Sequence, residues 1–176
     1  NRKINLIGKS TEKDSIKRHI IDSAQIIDII DKNSQKCIDL GSGSGLPGVV
    51  LAIILKKKGS NTKFYLYEKS FKKSNFLKKI VKHFELNVEV KNKNIFEEKE
   101  IEADTVVARA FKPLKIILEL IDKNFIYFNN LILFLGKSGD EIIKECQKKW
   151  KFNHEVLKSL TDKNSIIVKI NNLKKK

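Results

Sequence analysis

The stretch Asp39-Leu40-Gly41-Ser42-Gly43-Ser44-Gly45 is where this sequence concentrates its chemistry. Alternating glycines permit positive φ and let a ligand press against bare backbone. Lys36–Leu40 before the loop reads as a buried strand and Val49–Lys57 after it as a helix. The helix start near Pro47 presents free N–H groups to a polar or anionic ligand. A loop of this kind holds a nucleotide. The dinucleotide spacing G-x-G-x-x-G is present as Gly43, Gly45 and Gly48, so a dinucleotide-dependent oxidoreductase is one reading. A ribose needs a carboxylate at the end of the second strand, and Glu68 closes Lys-Phe-Tyr-Leu-Tyr-Glu at that place. Asn94-Ile95, further along the same sheet edge, offers an amide to a base edge and an apolar surface to its ring.

The elements that must position these residues follow from periodicity. A helix is expected over 13–30, with Ile16, Ile20, Ser23, Ile27 and Ile30 on one face. Arg18, His19 and Asp22 fall on nearly one face of it, which admits a structural polar network as readily as an RNA contact. Strands are expected at Lys36–Leu40, Lys63–Tyr67, Asn87–Val90, Thr105–Ala108, Leu131–Leu135, Phe152–Leu157 and Ser165–Ile170. Helices fall between them at Val49–Lys57, Ser70–Phe84, Leu114–Ile121 and Gly139–Lys149. Alternation of this kind implies an α/β fold, a mostly parallel seven-stranded sheet with helices on both faces. The last two strands lack a helix between them and should close the sheet as an antiparallel hairpin. One domain is expected over 1–176: an N-terminal helical segment (1–35), a cofactor-binding core (36–171) and a free basic tail (172–176).

Composition narrows the partners. The 176 residues carry 36 basic and 21 acidic side chains, a net charge of +15. That excess suits a polyanion, with RNA, DNA and anionic lipid as candidates, although the predominance of lysine is also what an A/T-rich genome produces. Two distant cysteines and three histidines without ligand spacing exclude a disulfide scaffold and a zinc site. Cys37, inside the first strand, reads as a small buried hydrophobe. The longest apolar run, Val49–Leu55, is too short to span a membrane, and no signal peptide opens the chain. A cytoplasmic protein is expected, with no membrane association and no demand for a dimer. The chain contains no methionine, even at its first position, and is expected to be a piece of a longer product.

The acidic residue followed by alternating glycines, Asp39-x-Gly41-x-Gly43, resembles motif I of the class I (Rossmann-like) S-adenosylmethionine-dependent methyltransferases. In that superfamily the acidic residue and the loop approach the methionine portion of the cofactor. Three further strings narrow the resemblance: Arg18-His19-Ile20-Ile21-Asp22-Ser23, Gly45-Leu46-Pro47-Gly48 and Arg109-Ala110-Phe111. With Asn5-Leu6 they are similar to the glucose-inhibited division protein B family, bacterial methyltransferases that modify guanine N7 (guanine 527) in the 530 loop of 16S ribosomal RNA. The resemblance implies cofactor contacts at Gly41, Leu46, Asn94, Ile95 and Arg109, to which the loop and strand reading adds Gly43, Gly45 and Glu68. RNA contacts are expected at Arg18 and His19 of the matching string and, from charge beside the site mouth, at Lys72 and Lys73, with Arg109 the one candidate for a catalytic role. The sequence departs from the family in reading Asn5-Leu6-Ile7 for Asn-Leu-Thr and Gly136-Lys137-Ser138 for Lys-Gly.

N7 carries an in-plane lone pair and no proton to lose, so its methylation requires no general base. A class I methyltransferase with a protein or small-molecule substrate, and an RNA-binding domain with a vestigial pocket, are the other readings of the same residues.

Overall fold

The computed structural model describes Leu6 and residues 14–176. Asn5, Ile7 and the expected start of the first helix at Lys13 lie outside the described residues. Seven strands form one sheet in the order β3-β2-β1-β4-β5-β7-β6. They are β1 (Lys36–Leu40), β2 (Lys63–Tyr67), β3 (Val88–Lys91), β4 (Ile101–Arg109), β5 (Phe125–Leu135), β6 (Trp150–Lys158) and β7 (Ile166–Lys175). β1 to β5 are parallel; β7 runs antiparallel to β5, and β6 pairs antiparallel with β7.

The parallel strands are buried on both faces, and the alternation of side chains sorts the core into two layers. Ile38, Leu40, Val106, Leu131 and Leu133 pack with α4 (Leu114–Asn124) and α5 (Gly139–Gln147). Cys37, Phe64, Leu66, Val107 and Ile132 face the other way, against α2 (Gly48–Lys57) and Leu77 of α3 (Phe71–His83). Ile26 and Ile30, from the N-terminal segment, close this second layer.

The chain runs outward from β1 to β2 and β3, then returns to lay β4 on the other side of β1. The switch point is therefore between β1 and β4, where Asp39 is in register with Val107. Open α/β sheets bind ligands at that place, beyond the carboxyl ends of the strands.

Two expectations are corrected. The N-terminal segment is not one continuous helix: a π-helical turn, Ile16–Ile21, leads into α1 (Asp22–Ala24) and then a 3₁₀ turn, Ile27–Ile29. A π turn is wider, with i→i+5 bonding, so it breaks the three-and-four spacing that put Ile16 on a core face. Ile16 is 71% exposed, while Ser23, Ile26 and Ile30 are buried. The basic tail is not free either. Lys174 and Lys175 belong to β7 and pair with Lys151 and Trp150, and Lys176 donates its N–H to the Lys149 carbonyl. Trp150 and Phe152 bury the start of β6, which gives the tail a strand to pair with.

Candidate active site

The loop after β1 is tied down on both sides. The Ser42 N–H donates to the Tyr67 carbonyl at the end of β2, and the N–H groups of Gly45 and Leu46 return to the Ser42 carbonyl. Gly43 sits at φ +56, and a Cβ there would meet nothing nearer than 3.8 Å. That position thus combines left-handed backbone with open space, the two properties of a ligand cradle. Its N–H donates to Glu68 Oε2 at 2.9 Å, and Ser70 N–H donates to Glu68 Oε1 at 2.7 Å. Glu68 is thereby aimed across the loop although it is only 7% exposed.

Gly41, Glu68, Lys73, Asn94, Ile95 and Phe111 line one crevice of about 250 Å³. The crevice joins the ends of β1, β2, β3 and β4, as nucleotide recognition requires. Asn94 caps the 3₁₀ turn Ile95–Glu97 by accepting from Phe96 N–H, and its amide donates to Glu97 at 2.8 Å. One amide hydrogen stays available to a base. The remaining expected contacts divide. Gly45 and Leu46 stand behind the crevice: a Cβ on Gly45 would strike Val49 and Leu77, and Leu46 is half-buried in the turn into α2. Lys72 is exposed on the first turn of α3, beside Lys73.

Asp39 lies beneath the loop, fully buried. Oδ2 accepts the Gly48 N–H at 3.0 Å. Oδ1 has no partner, alone among the buried side-chain polar atoms of the described residues. Burial pushes this carboxyl up to about 7, against the opposing pull of the Gly48 N–H, the nearby Ser42 hydroxyl and the Arg109 charge. An unpartnered buried acceptor is costly and calls for an explanation. An ammonium group would supply the missing donor, and the methionine portion of S-adenosylmethionine carries one. With the open cradle at Gly43 and the carboxylate of Glu68, the residues present fit that cofactor.

Arg109 is not in this crevice. In an extended strand it would share a face with Phe111. Ala110, at φ +50, breaks the alternation. Phe111 then falls on the glycine loop, so close that a Cβ on Gly41 would lie 2.2 Å from its ring, and stacks on Phe96. Arg109 falls on the other side, into a second cavity of about 410 Å³ that it shares with Arg18, His19, Asp22, Thr161 and Asp162. There its Nη1 donates to Asp22 Oδ2 at 2.8 Å and to the Arg18 carbonyl at 3.2 Å, and its Nη2 donates to His19 Nδ1 at 3.1 Å. Burial and the Arg109 guanidinium hold His19 below its usual range, consistent with an accepting Nδ1. Ala110 lines both cavities. Sequence reasoning gave no role to Phe111, although it stands in a quoted motif. Thr161 and Asp162 carry no signal beyond that of turn residues.

Sheet order, glycine loop and the carboxylate after β2 together define a class I S-adenosylmethionine-dependent methyltransferase. Solved structures agree on the fold. A SAM-dependent methyltransferase from Aquifex aeolicus superposes with a TM-score of 0.67 at 15% identity, over 92% of this chain and 94% of that one. M. capricolum TrmK, in complex with S-adenosyl-homocysteine, gives 0.62 at 20% identity, over 85% of this chain and 66% of that one. The GidB family model, described as rRNA small subunit methyltransferase G, matches residues 1–169. Ribosomal RNA small subunit methyltransferase G of Pelagibacter ubique is 46% identical over 178 residues, which covers all of this chain and 84% of the relative. The Rickettsia bellii protein of the same name is 37% identical over 175 residues, 99% of this chain and 88% of the relative. The chain belongs to the rRNA small subunit methyltransferase G family.

Proposed function

We propose that this S-adenosylmethionine-dependent rRNA methyltransferase acts, as a single domain and a monomer in the cytoplasm, on guanine N7 in the 530 loop of 16S ribosomal RNA. Its partner is that RNA or the small ribosomal subunit. The observation that carries the reading is the pair of cavities sharing Ala110: one has the donors and acceptors of a nucleotide cofactor, the other an aimed arginine. No helix of the described residues is long and apolar enough to cross a membrane.

When bound, the cofactor supplies an electrophilic methyl group on a sulfonium. The work of the protein is orientation, which contributes on the order of 7–11 kcal/mol when reacting atoms are held in line. Asp39 Oδ1 would take the ammonium of the methionine portion and Glu68 the ribose hydroxyls, with Asn94 and Ile95 toward the base. Arg109 takes the target. A donor on N7 would occupy the lone pair that attacks, so Arg109 serves O6 instead. The base must leave its stack, at a cost of a few kcal/mol. Arg18, His19, Lys72 and Lys73 hold the surrounding RNA.

The test is methyl transfer to isolated small subunits, with the product nucleoside mapped by mass spectrometry. Wild-type protein yields 7-methylguanosine in the 530 loop. Arg109→Ala retains the fold and loses most of the transfer, and Arg109→Lys recovers little because it lacks the planar fork. Subunits left unmethylated by folded protein that binds S-adenosylmethionine would overturn the reading.

A further inference from the structure

Asp22 does not line the cofactor crevice, yet its carboxylate bonds both to the end of β4 and to the turn between β6 and β7. Its Oδ2 takes Arg109 of β4. Its Oδ1 accepts the Thr161 hydroxyl at 2.5 Å and the Gln25 amide at 2.7 Å. Gln25 in turn accepts the Leu160 N–H at 2.8 Å. One carboxylate, only 17% exposed, therefore joins three pieces of chain: the N-terminal segment, the end of β4 and the turn between β6 and β7. The π turn helps to make this possible. It sets the Arg18 carbonyl and the His19 ring around the same guanidinium that Asp22 binds. π turns recur at functional sites for such reasons.

A guanidinium has five N–H groups and no acceptor. Two on Nη1 and one on Nη2 are committed to Asp22, Arg18 and His19, which leaves two. The Arg109 side chain is 14% exposed and lines the second cavity. An arginine bonded to three partners keeps its guanidinium fixed, and with it the direction of the two free donors. Without the carboxylate, the same side chain could swing about its flexible stem.

We propose that Asp22 is a positioning residue: it aims the free donors of Arg109 at the target base, and it does so only while the N-terminal segment and the β6–β7 turn are docked on each other. This rests on the reading that Arg109 serves the target guanine. Under it, Asp22 touches no reacting atom and acts wholly through Arg109. Subunit binding by the lysines does not depend on it, so the loss appears in kcat rather than in KM.

The experiment is a double-mutant cycle in transfer to isolated small subunits, using Asp22→Asn, Arg109→Ala and the pair. Asn keeps an oxygen for Thr161 and loses the charge, so the docked turn survives, which a thermal melt and a titration with S-adenosylhomocysteine verify. In the Arg109 background, Asp22→Asn costs nothing further. In the wild-type background it lowers kcat about ten- to a hundredfold, the scale of a charge-assisted hydrogen bond, with KM for the subunit unchanged. Equal losses in both backgrounds would reduce Asp22 to a fold residue and overturn the proposal, as would a change in KM alone. Absence of 7-methylguanosine from the wild-type reaction would instead strike the proposed function, so the two failures are distinct.

Discussion

The two cavities that meet at Ala110 are built in opposite ways. The cofactor crevice collects the tips of neighbouring parallel strands, and its key pieces are local: Asp39 to Gly48 is a single βα turn, and Glu68 to Ser70 is another. Its hydrogen bonds are mostly made by backbone N–H groups, which hold their direction whatever the side chains do. The second cavity draws on residues 18–22, 109–110, 134–136 and 159–166. Its long-range bonds all involve side chains, as in Arg109 to Asp22 and Thr161 to Asp22, 87 and 139 residues apart. A backbone cradle fits a cofactor that never varies. A side-chain network can form and part as an RNA enters, and local openings of this kind are where low-stability segments serve function.

If that contrast is right, breaking the backbone cradle should be the more absolute lesion. Gly43→Val is expected to abolish S-adenosylhomocysteine binding in calorimetry while the affinity for small subunits persists. The left-handed φ disfavours a β-branched residue, and the new side chain fills the cradle. Retained cofactor affinity would show that the crevice is not where the cofactor lies.

A second test uses the unpartnered acid beneath the cradle. The carboxyl of Asp39 has an ordinary value of 3.8 and stands at about 7 in the fold. Below about 4 it is neutral in both folded and unfolded chains, and no stability is lost. Between those values the unfolded chain ionises while the folded one keeps its proton, so stability falls as pH rises. Above about 7 the full cost is present, on the order of 4 kcal/mol. Urea unfolding of wild type at pH 4 and pH 8 should show that loss, and Asp39→Asn should remove it from the difference. The same variant should bind S-adenosylhomocysteine more weakly, with no gain in affinity as pH passes 7. A wild-type pH dependence that survives in the Asn variant would place the titration elsewhere.

Glu68→Ala sharpens the picture of the ribose end. It removes the acceptor for the Gly43 and Ser70 N–H groups as well as the proposed ribose contact. Cofactor binding should weaken by about 1.5–3 kcal/mol, the range for hydrogen bonds to a charged group. Titration at wild-type affinity would leave Glu68 as a brace for the loop alone.

The smallest effects belong to the lysines at the rim. Log affinity for RNA should fall linearly with log salt, and Lys72→Ala and Lys73→Ala should each lower the slope by about 0.7–0.9 if each neutralises one phosphate. Lys72→Ala should not change cofactor binding by more than a few tenths of a kcal/mol, on the scale of exposed charges. A flat salt response would assign the +15 charge to composition.

What could be read from residue order was what neighbouring residues decide together. Strand periodicity and the missing helix between the last two strands predicted seven strands and a closing hairpin, because alternation and turn chemistry act over a few residues. The place of the glycine loop after β1 and of Glu68 at the end of β2 was legible for the same reason, as was the burial of Cys37. The family strings were legible as strings, but not as contacts. Arg109-Ala110-Phe111 pointed to function, yet the left-handed backbone at Ala110 that sends Arg109 and Phe111 into different cavities has no signature in an alanine. The N-terminal isoleucines had helical spacing, and a π turn, whose Arg18 carbonyl and His19 ring meet Arg109 far along the chain, overrode it. The last three lysines looked like a free tail until β6 lay beside them. Asp22 shared a helix face with Arg18 and His19 in the sequence, and only the fold brought Thr161 and Arg109 to its two oxygens. Short-range sterics and periodicity are written in residue order. Which distant donors meet a buried acceptor is decided only when the two layers of the core close on the sheet, since that packing sets the distances.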